Sequence, residues 1–176
     1  WPLSRRSSPK QFEKVIGEKS TLQLSIERLL PDFSGNDIYL STQAKYVKIV
    51  KDQLPQLPAE NIIAEPETRD VGPAVALVTS IMAKKNQHEP MIILWSDHLI
   101  KKMDLFKKIL NACRKYITNN PNKLIFISQK PRFASQNLGW IKFGRVKHQE
   151  QKVSFHSFMG FSYRPNLNLL SSALRY

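Results

Sequence analysis

Met91-Ile92-Ile93-Leu94-Trp95 runs directly into Ser96-Asp97-His98. Five apolar residues without alternation, preceded by Pro90 and ended by three polar residues, predict a strand buried on both faces. Strands of that kind belong to parallel sheets, and parallel strands need crossover helices. The flanking sequence supplies both partners. Downstream, Leu105, Ile109, Ala112, Cys113 and Tyr116 fall on one side of a predicted helix, and Lys123–Ser128 (KLIFIS) repeats the buried-strand pattern. Upstream, Pro73 suits a first helical turn, where its missing N–H has no helical partner anyway. Ala74, Leu77, Val78, Ile81 and Met82 follow at helical spacing.

The alternation continues toward the amino terminus. Ser20 with Gln23 forms a capping-box pattern, and Leu22, Ile26, Leu29 and Leu30 continue it as a helix closed by Pro31. Asp37–Thr42 reads as a strand, Val47, Val50 and Leu54 as a helix ending near Pro55, and Asn61–Ala64 as a short strand. Toward the carboxyl end, Trp140–Val146 and Val153–Phe158 alternate in polarity and could pair antiparallel. The expected fold is α/β, a mostly parallel sheet with helices on both faces. No repeat or linker interrupts residues 1–176, which read as one domain.

Composition narrows the function. Hydrophobic residues make up 41% and charged residues 23%, ordinary globular usage. No apolar run approaches the roughly 20 residues of a membrane span, and the opening Trp1–Arg6 lacks the apolar core of a secretory signal. The single Cys113 excludes an internal disulfide and any multi-cysteine metal site, so a reducing, cytoplasmic location is expected. On its predicted helix face Cys113 reads as packing. Lys and Arg total 27 against 14 Asp and Glu, a net charge of +13. That excess draws anions, whether nucleic acid or a nucleotide or sugar phosphate. The basic residues are scattered, most of them where a predicted helix meets solvent, and no nucleic-acid-binding motif of recognised type accompanies them. His88, His98, His148 and His156 show no metal-ligand spacing.

Three places could carry chemistry. Ligands of open α/β sheets bind beyond the carboxyl ends of strands. Asp97 sits there, as a carboxylate for a hard cation such as Mg²⁺ or as a simple cap. Glu65-Pro66-Glu67-Thr68-Arg69-Asp70-Val71-Gly72-Pro73 joins a strand to a helix, with Gly72 allowing close approach and the helix start offering N–H groups. The plain alternative is a loop with an Asp cap and a Pro start. The third place is the basic stretch Arg5, Arg6 and Lys10.

Four stretches then fall into one pattern. WPLSRRSSPKQF at residues 1–12 resembles the segment that follows the GGxGTRL loop in mannose-1-phosphate guanylyltransferases. IIAEPETRDVGPAVAL resembles their EPxxRNTAPAIAL, MIILWSDHLI their LPSDHLI, and NLGWIKFG stands where they have TGYGYI. Order and spacing match from Trp1 to about Phe158. The resemblance implies a Rossmann-like nucleotide-diphospho-sugar transferase fold and an enzyme joining GTP and mannose 1-phosphate into GDP-mannose and pyrophosphate, with Mg²⁺. It implies catalytic roles for Lys10 and Asp97, with Asp97 on the metal. Glu65, Arg69, Asp70 and Gly72 would lie near the nucleotide, and Asn137, Leu138 and Gly139 near the sugar.

The same resemblance places a glycine-rich loop and a first central strand ahead of Trp1, and a sugar-binding part after Leu170–Tyr176, so a partial domain is expected. A longer parent could form a homo-oligomer. Asn137 stands for a family glycine, Trp95 for a proline and Asp70 for an asparagine, and Phe158–Ser162 replaces FxEKP. These departures motivate an alternative, a catalytically silent nucleotide-sugar binding or regulatory module. The net charge motivates another, a basic nucleic-acid-binding protein.

Overall fold

A computed structural model of the chain describes residues 9–14 and 17–166. Arg5, Arg6 and the Leu170–Tyr176 tail lie outside the described residues. The chain divides into two compact units, Trp1–Met103 and Asp104–Tyr176.

In the first unit, helix α1 (Thr21–Glu27) starts from the capping box read in the sequence. Ser20 Oγ accepts from the Gln23 N–H at 3.2 Å, and Gln23 Oε1 accepts from the Ser20 N–H at 3.0 Å. The helix stops before Leu29 and Leu30, whose N–H groups bond three residues back, to Ile26 and Glu27. Tightened last turns of this kind satisfy orphan carbonyls, and the residue before a proline avoids the helical region.

Strand β1 (Leu40–Gln43) pairs in parallel with β2 (Ile62–Glu65), in the register Leu40 with Ile62 through Gln43 with Glu65. Helix α2 (Val47–Gln53) connects them. β1 begins later than its sequence pattern suggests because Ser34 caps a 3₁₀ turn at Gly35–Asp37. The core collects Phe12, Leu22, Ile26, Ile38, Tyr46, Val50, Leu54, Leu57 and Ile62. Two polar side chains stitch it. Gln53 Nε2 donates to the Phe12 carbonyl at 2.9 Å, while Gln53 Oε1 accepts from Ser20 Oγ at 2.6 Å. Buried Asn61 donates to the carbonyls of Gly35, Asn36 and Ile38.

Helix α3 (Val71–Lys85) follows, with Pro73 in its first turn as expected. Ala74, Leu77, Val78, Ile81 and Met82 form its half-buried face. The strand expected at Met91–Trp95 is not formed. These residues carry no ladder, and Met91, Ile92, Ile93 and Trp95 are exposed. The strand expected at Lys123–Ser128 is likewise absent, with Leu124, Phe126 and Ile127 exposed. The cause is the same in both. A buried parallel strand exists only with neighbours that satisfy its N–H and C=O groups, and among the described residues neither run has one.

The second unit holds helix α4 (Met103–Thr118, whose first residue closes the first unit) and an antiparallel hairpin, β3 (Gly139–Glu150) and β4 (Val153–Tyr163). Phe106 and Ala112 are the buried residues of α4, whereas Leu105 is exposed, one position off the expected face. Tyr116 stacks on Phe155 at 4.6 Å between centroids, tying α4 to the hairpin. Both strands run longer than the sequence pattern suggests, meeting at Gln151 and Lys152, which have φ of 49° and 67°. Two successive positive φ values belong to the tight turn whose twist matches a right-handed hairpin.

Candidate functional site

Lys10 and Asp97 meet. Lys10 Nζ lies 2.9 Å from Asp97 Oδ2. Each side chain reaches the contact from a held backbone. Lys10 opens a short 3₁₀ turn, Lys10–Phe12, behind Pro9. Phe12 closes that turn and is buried, its ring tilted against Tyr46 at 5.4 Å. Core burial two residues away therefore fixes where Lys10 starts. Asp97 lies in the turn after the MIILW run.

The hydrogen bond from Lys10 holds the Asp97 carboxyl below the usual carboxylate range, against partial burial that raises it. The charges of Lys10 and His98 act in the same direction as the hydrogen bond. Asp97 is thus ionised at neutral pH and partly open to solvent. It offers a hard oxygen donor, the ligand type that Mg²⁺ takes.

The turn carrying Asp97 has a further partner that sequence reasoning missed. Arg28, at the carboxyl end of α1, donates from Nη1 to the His98 carbonyl at 2.6 Å and from Nη2 to the Trp95 carbonyl at 2.9 Å. No motif announces this contact, because backbone carbonyls accept it and any residue type has one.

The loop from Glu65 to Gly72 connects β2 to α3. Glu65 accepts from Ser41 Oγ at 2.9 Å across the β1–β2 pair. Arg69 is ion-paired with Glu67, and both are exposed. Asp70 caps α3, its Oδ1 accepting from the Val71 N–H at 2.9 Å, so the capping alternative describes its contact. Its φ of 69° lies where glycine is favoured. Gly72 has open space around it, and an added Cβ would meet nothing within 4 Å.

Asn137, Leu138 and Gly139 lie in the second unit at the entry to β3, all exposed. The Leu138 carbonyl accepts from the Arg164 N–H at 3.2 Å. Gly139 faces the Phe161 ring so closely that a Cβ would come within 2.6 Å of it. Cys113 is half-buried, and burial pushes its thiol up, which disfavours the reactive thiolate. Among the described residues no group of three or more His, Cys, Asp or Glu gathers as a metal cage, and no helix is long and apolar enough to cross a membrane. Lys45, Lys48, Lys51, Lys84, Lys85, Lys101 and Lys102 are all exposed, and Lys107 and Lys108 are half-buried.

Comparison with known proteins gives this geometry a family. The chain is 32% identical over 178 residues to the mannose-1-phosphate guanylyltransferase of Salmonella montevideo, covering 99% of this chain and 37% of that protein. It is 33% identical over 172 residues to that of Escherichia coli (strain K12), covering 95% and 35%. The alginate biosynthesis protein AlgA of Pseudomonas fluorescens is 35% identical over 113 residues, covering 62% and 23%. The chain thus spans about a third of the length of the first two relatives. A crystal structure described as mannose-1-phosphate geranyltransferase from Thermus thermophilus superposes with a TM-score of 0.78 at 21% identity, covering 99% of this chain and 49% of that one. That likeness shows the fold, the α/β class expected from the alternating pattern. The family model for nucleotidyl transferases matches residues 1–158, and the chain belongs to that family.

Proposed function

We propose that the chain carries the nucleotide-activating part of a mannose-1-phosphate guanylyltransferase, with GTP and mannose 1-phosphate as substrates. The observation that supports it most is the Lys10–Asp97 pair, which joins the PKQF and SDH segments in one place. Relatives bearing that enzyme name cover nearly the whole chain. The reaction is an in-line displacement. A phosphate oxygen of the sugar phosphate attacks the α-phosphorus of GTP, the bond to the α–β bridging oxygen breaks, and pyrophosphate leaves with the electron pair.

Little covalent help is needed, so the residues act through charge and position. Lys10 supplies a positive charge for the phosphates. Asp97, kept ionised by Lys10, is a fitting ligand for Mg²⁺, which commonly binds through one or two carboxylates with water and phosphates completing its shell. A bound Mg²⁺ would neutralise charge developing on the phosphate oxygens. Glu65, Arg69, Asp70 and Gly72 are assigned to the nucleotide, and Asn137, Leu138 and Gly139 to the sugar. The single cysteine fits a cytoplasmic setting.

The test is GDP-mannose formation from GTP and mannose 1-phosphate with Mg²⁺. It is run on this chain alone and on a version with a GGSGTRL loop and its strand joined ahead of Trp1. Product from either supports the reading. Folded proteins that bind GDP-mannose without turnover would favour the silent binding module. Binding that appears only with nucleic acid and falls steeply with salt would favour the basic nucleic-acid binder.

A further inference from the structure

We propose that Arg28 is a positioning residue for Asp97, an inference that rests on the reading of Asp97 as the carboxylate that would hold the metal. The two carbonyls it engages, those of Trp95 and His98, bracket Ser96-Asp97 on either side. A guanidinium is a rigid planar fork, so one side chain that bonds both carbonyls fixes them relative to each other. Charged donors also make the stronger hydrogen bonds. No strand pairing holds residues 91–98 among the described residues, which leaves the turn dependent on contacts of this kind.

The fork has a firm base. Arg28 follows α1 directly, and its own N–H bonds to the Leu24 and Ile26 carbonyls. Leu22 and Ile26 of α1 are buried in the core that also holds Phe12. Lys10 is therefore set by one element of that core and Asp97, through Arg28, by another. The spacing between cation and carboxylate is inherited from the packing of the hydrophobic core. Burial lowers the pKa of Arg28, in keeping with a guanidinium partly withdrawn from solvent toward these carbonyls.

The inference is tested by backbone ¹⁵N relaxation at Ser96–Leu99 and by Mg²⁺·GTP binding, on whichever version of the chain binds GTP, comparing Arg28→Met, Arg28→Lys and Asp97→Asn. Arg28→Met should lower the order parameters of Ser96–Leu99 from the rigid toward the flexible range and leave those of α1 unchanged. Arg28→Lys keeps the charge without the fork and should rescue only in part. Arg28→Met should also weaken Mg²⁺·GTP binding about tenfold, and add nothing once Asp97→Asn is present, because positioning acts only through the carboxylate. Unchanged order parameters at Ser96–Leu99, or the same loss of binding in both backgrounds, would overturn the proposal. Should Arg28→Met fail to fold, full rescue by Arg28→Lys would overturn it and partial rescue would support it. If neither the chain nor its loop-restored version binds GTP, the functional reading fails instead, and the relaxation of Ser96–Leu99 alone decides on Arg28.

Discussion

Lys10 Nζ and Asp97 Oδ2 stand 2.9 Å apart, and the contact lowers the pKa of the Asp97 carboxyl. The sign of the pH dependence follows. A carboxyl with a depressed folded pKa stabilises the fold fully above its unfolded value, near 3.9, and loses that contribution as pH falls through the folded value. Both side chains are substantially exposed, so the pair contributes only about 0–1 kcal/mol. Lys10→Met should therefore barely shift the denaturant midpoint at pH 7. It should move the Asp97 titration, followed by carboxyl NMR, upward toward the ordinary value. An Asp97 titration unmoved by Lys10→Met would refute the pairing.

Catalysis should respond more strongly than stability. If the proposed function holds, Lys10→Met removes a cation directed at the reacting phosphates and Asp97→Asn removes the charge of the carboxylate that would hold Mg²⁺, and losses of about 10²-fold in turnover are expected for each. The comparison is made on whichever version of the chain forms GDP-mannose. Turnover within a factor of two of wild type for either variant would remove that residue from the mechanism.

What could be read in advance divides along a physical line. The Ser20–Gln23 capping box and the Pro73 helix start were legible because they depend on residues within one turn of each other. The runs at Met91–Trp95 and Lys123–Ser128 carry strand-like composition, yet their pairing depends on distant neighbours that composition does not encode. On α4, Ile109, Ala112, Cys113 and Tyr116 lie on the sheltered side as expected, and only Leu105 gives way to its neighbour Phe106 at the edge of that face. Asp97 was a candidate from its place after a strand-like run and Lys10 from a basic stretch, and the family resemblance gave both their catalytic roles. Arg28 lies 67 residues from Trp95 and bonds only backbone there, so no pattern of residue types could disclose it.

Asp70 sits at φ 69° and ψ −176°, a region nearly reserved for glycine. Such strain costs about 1–3 kcal/mol, and glycine as a cap gives up only a few tenths relative to aspartate. Glycine also loosens the unfolded chain, by about 0.4–1 kcal/mol. Asp70→Gly should thus gain about 1 kcal/mol, seen as a higher urea midpoint with the same slope. Asp70→Ala, which keeps the strain and drops the cap, should lose stability. A midpoint for Asp70→Gly at or below wild type would show that the Asp70 contact outweighs the backbone penalty.

Asn61 is 2% exposed, and its Nδ2 donates to three carbonyls, those of Gly35, Asn36 and Ile38, at 3.0–3.3 Å. It thereby locks the 3₁₀ turn before β1 to the start of β2. Asn61→Ala leaves these carbonyls, the buried Ile38 carbonyl among them, short of a donor and should cost about 1–3 kcal/mol. Asn61→Asp is the sharper test. The new carboxylate would face carbonyl oxygens in a dry setting, so burial and repulsion would raise its folded pKa above the unfolded value near 3.9. The folded state would then hold the proton more tightly. Asn61→Asp should be most stable below pH 4, where the carboxyl can still donate, and lose stability as pH rises through the raised folded pKa. Asn61→Ala should show no such slope relative to wild type. Urea midpoints measured from pH 3 to pH 8 decide the matter, and parallel profiles for the two variants would mean that Asn61 is replaceable by water.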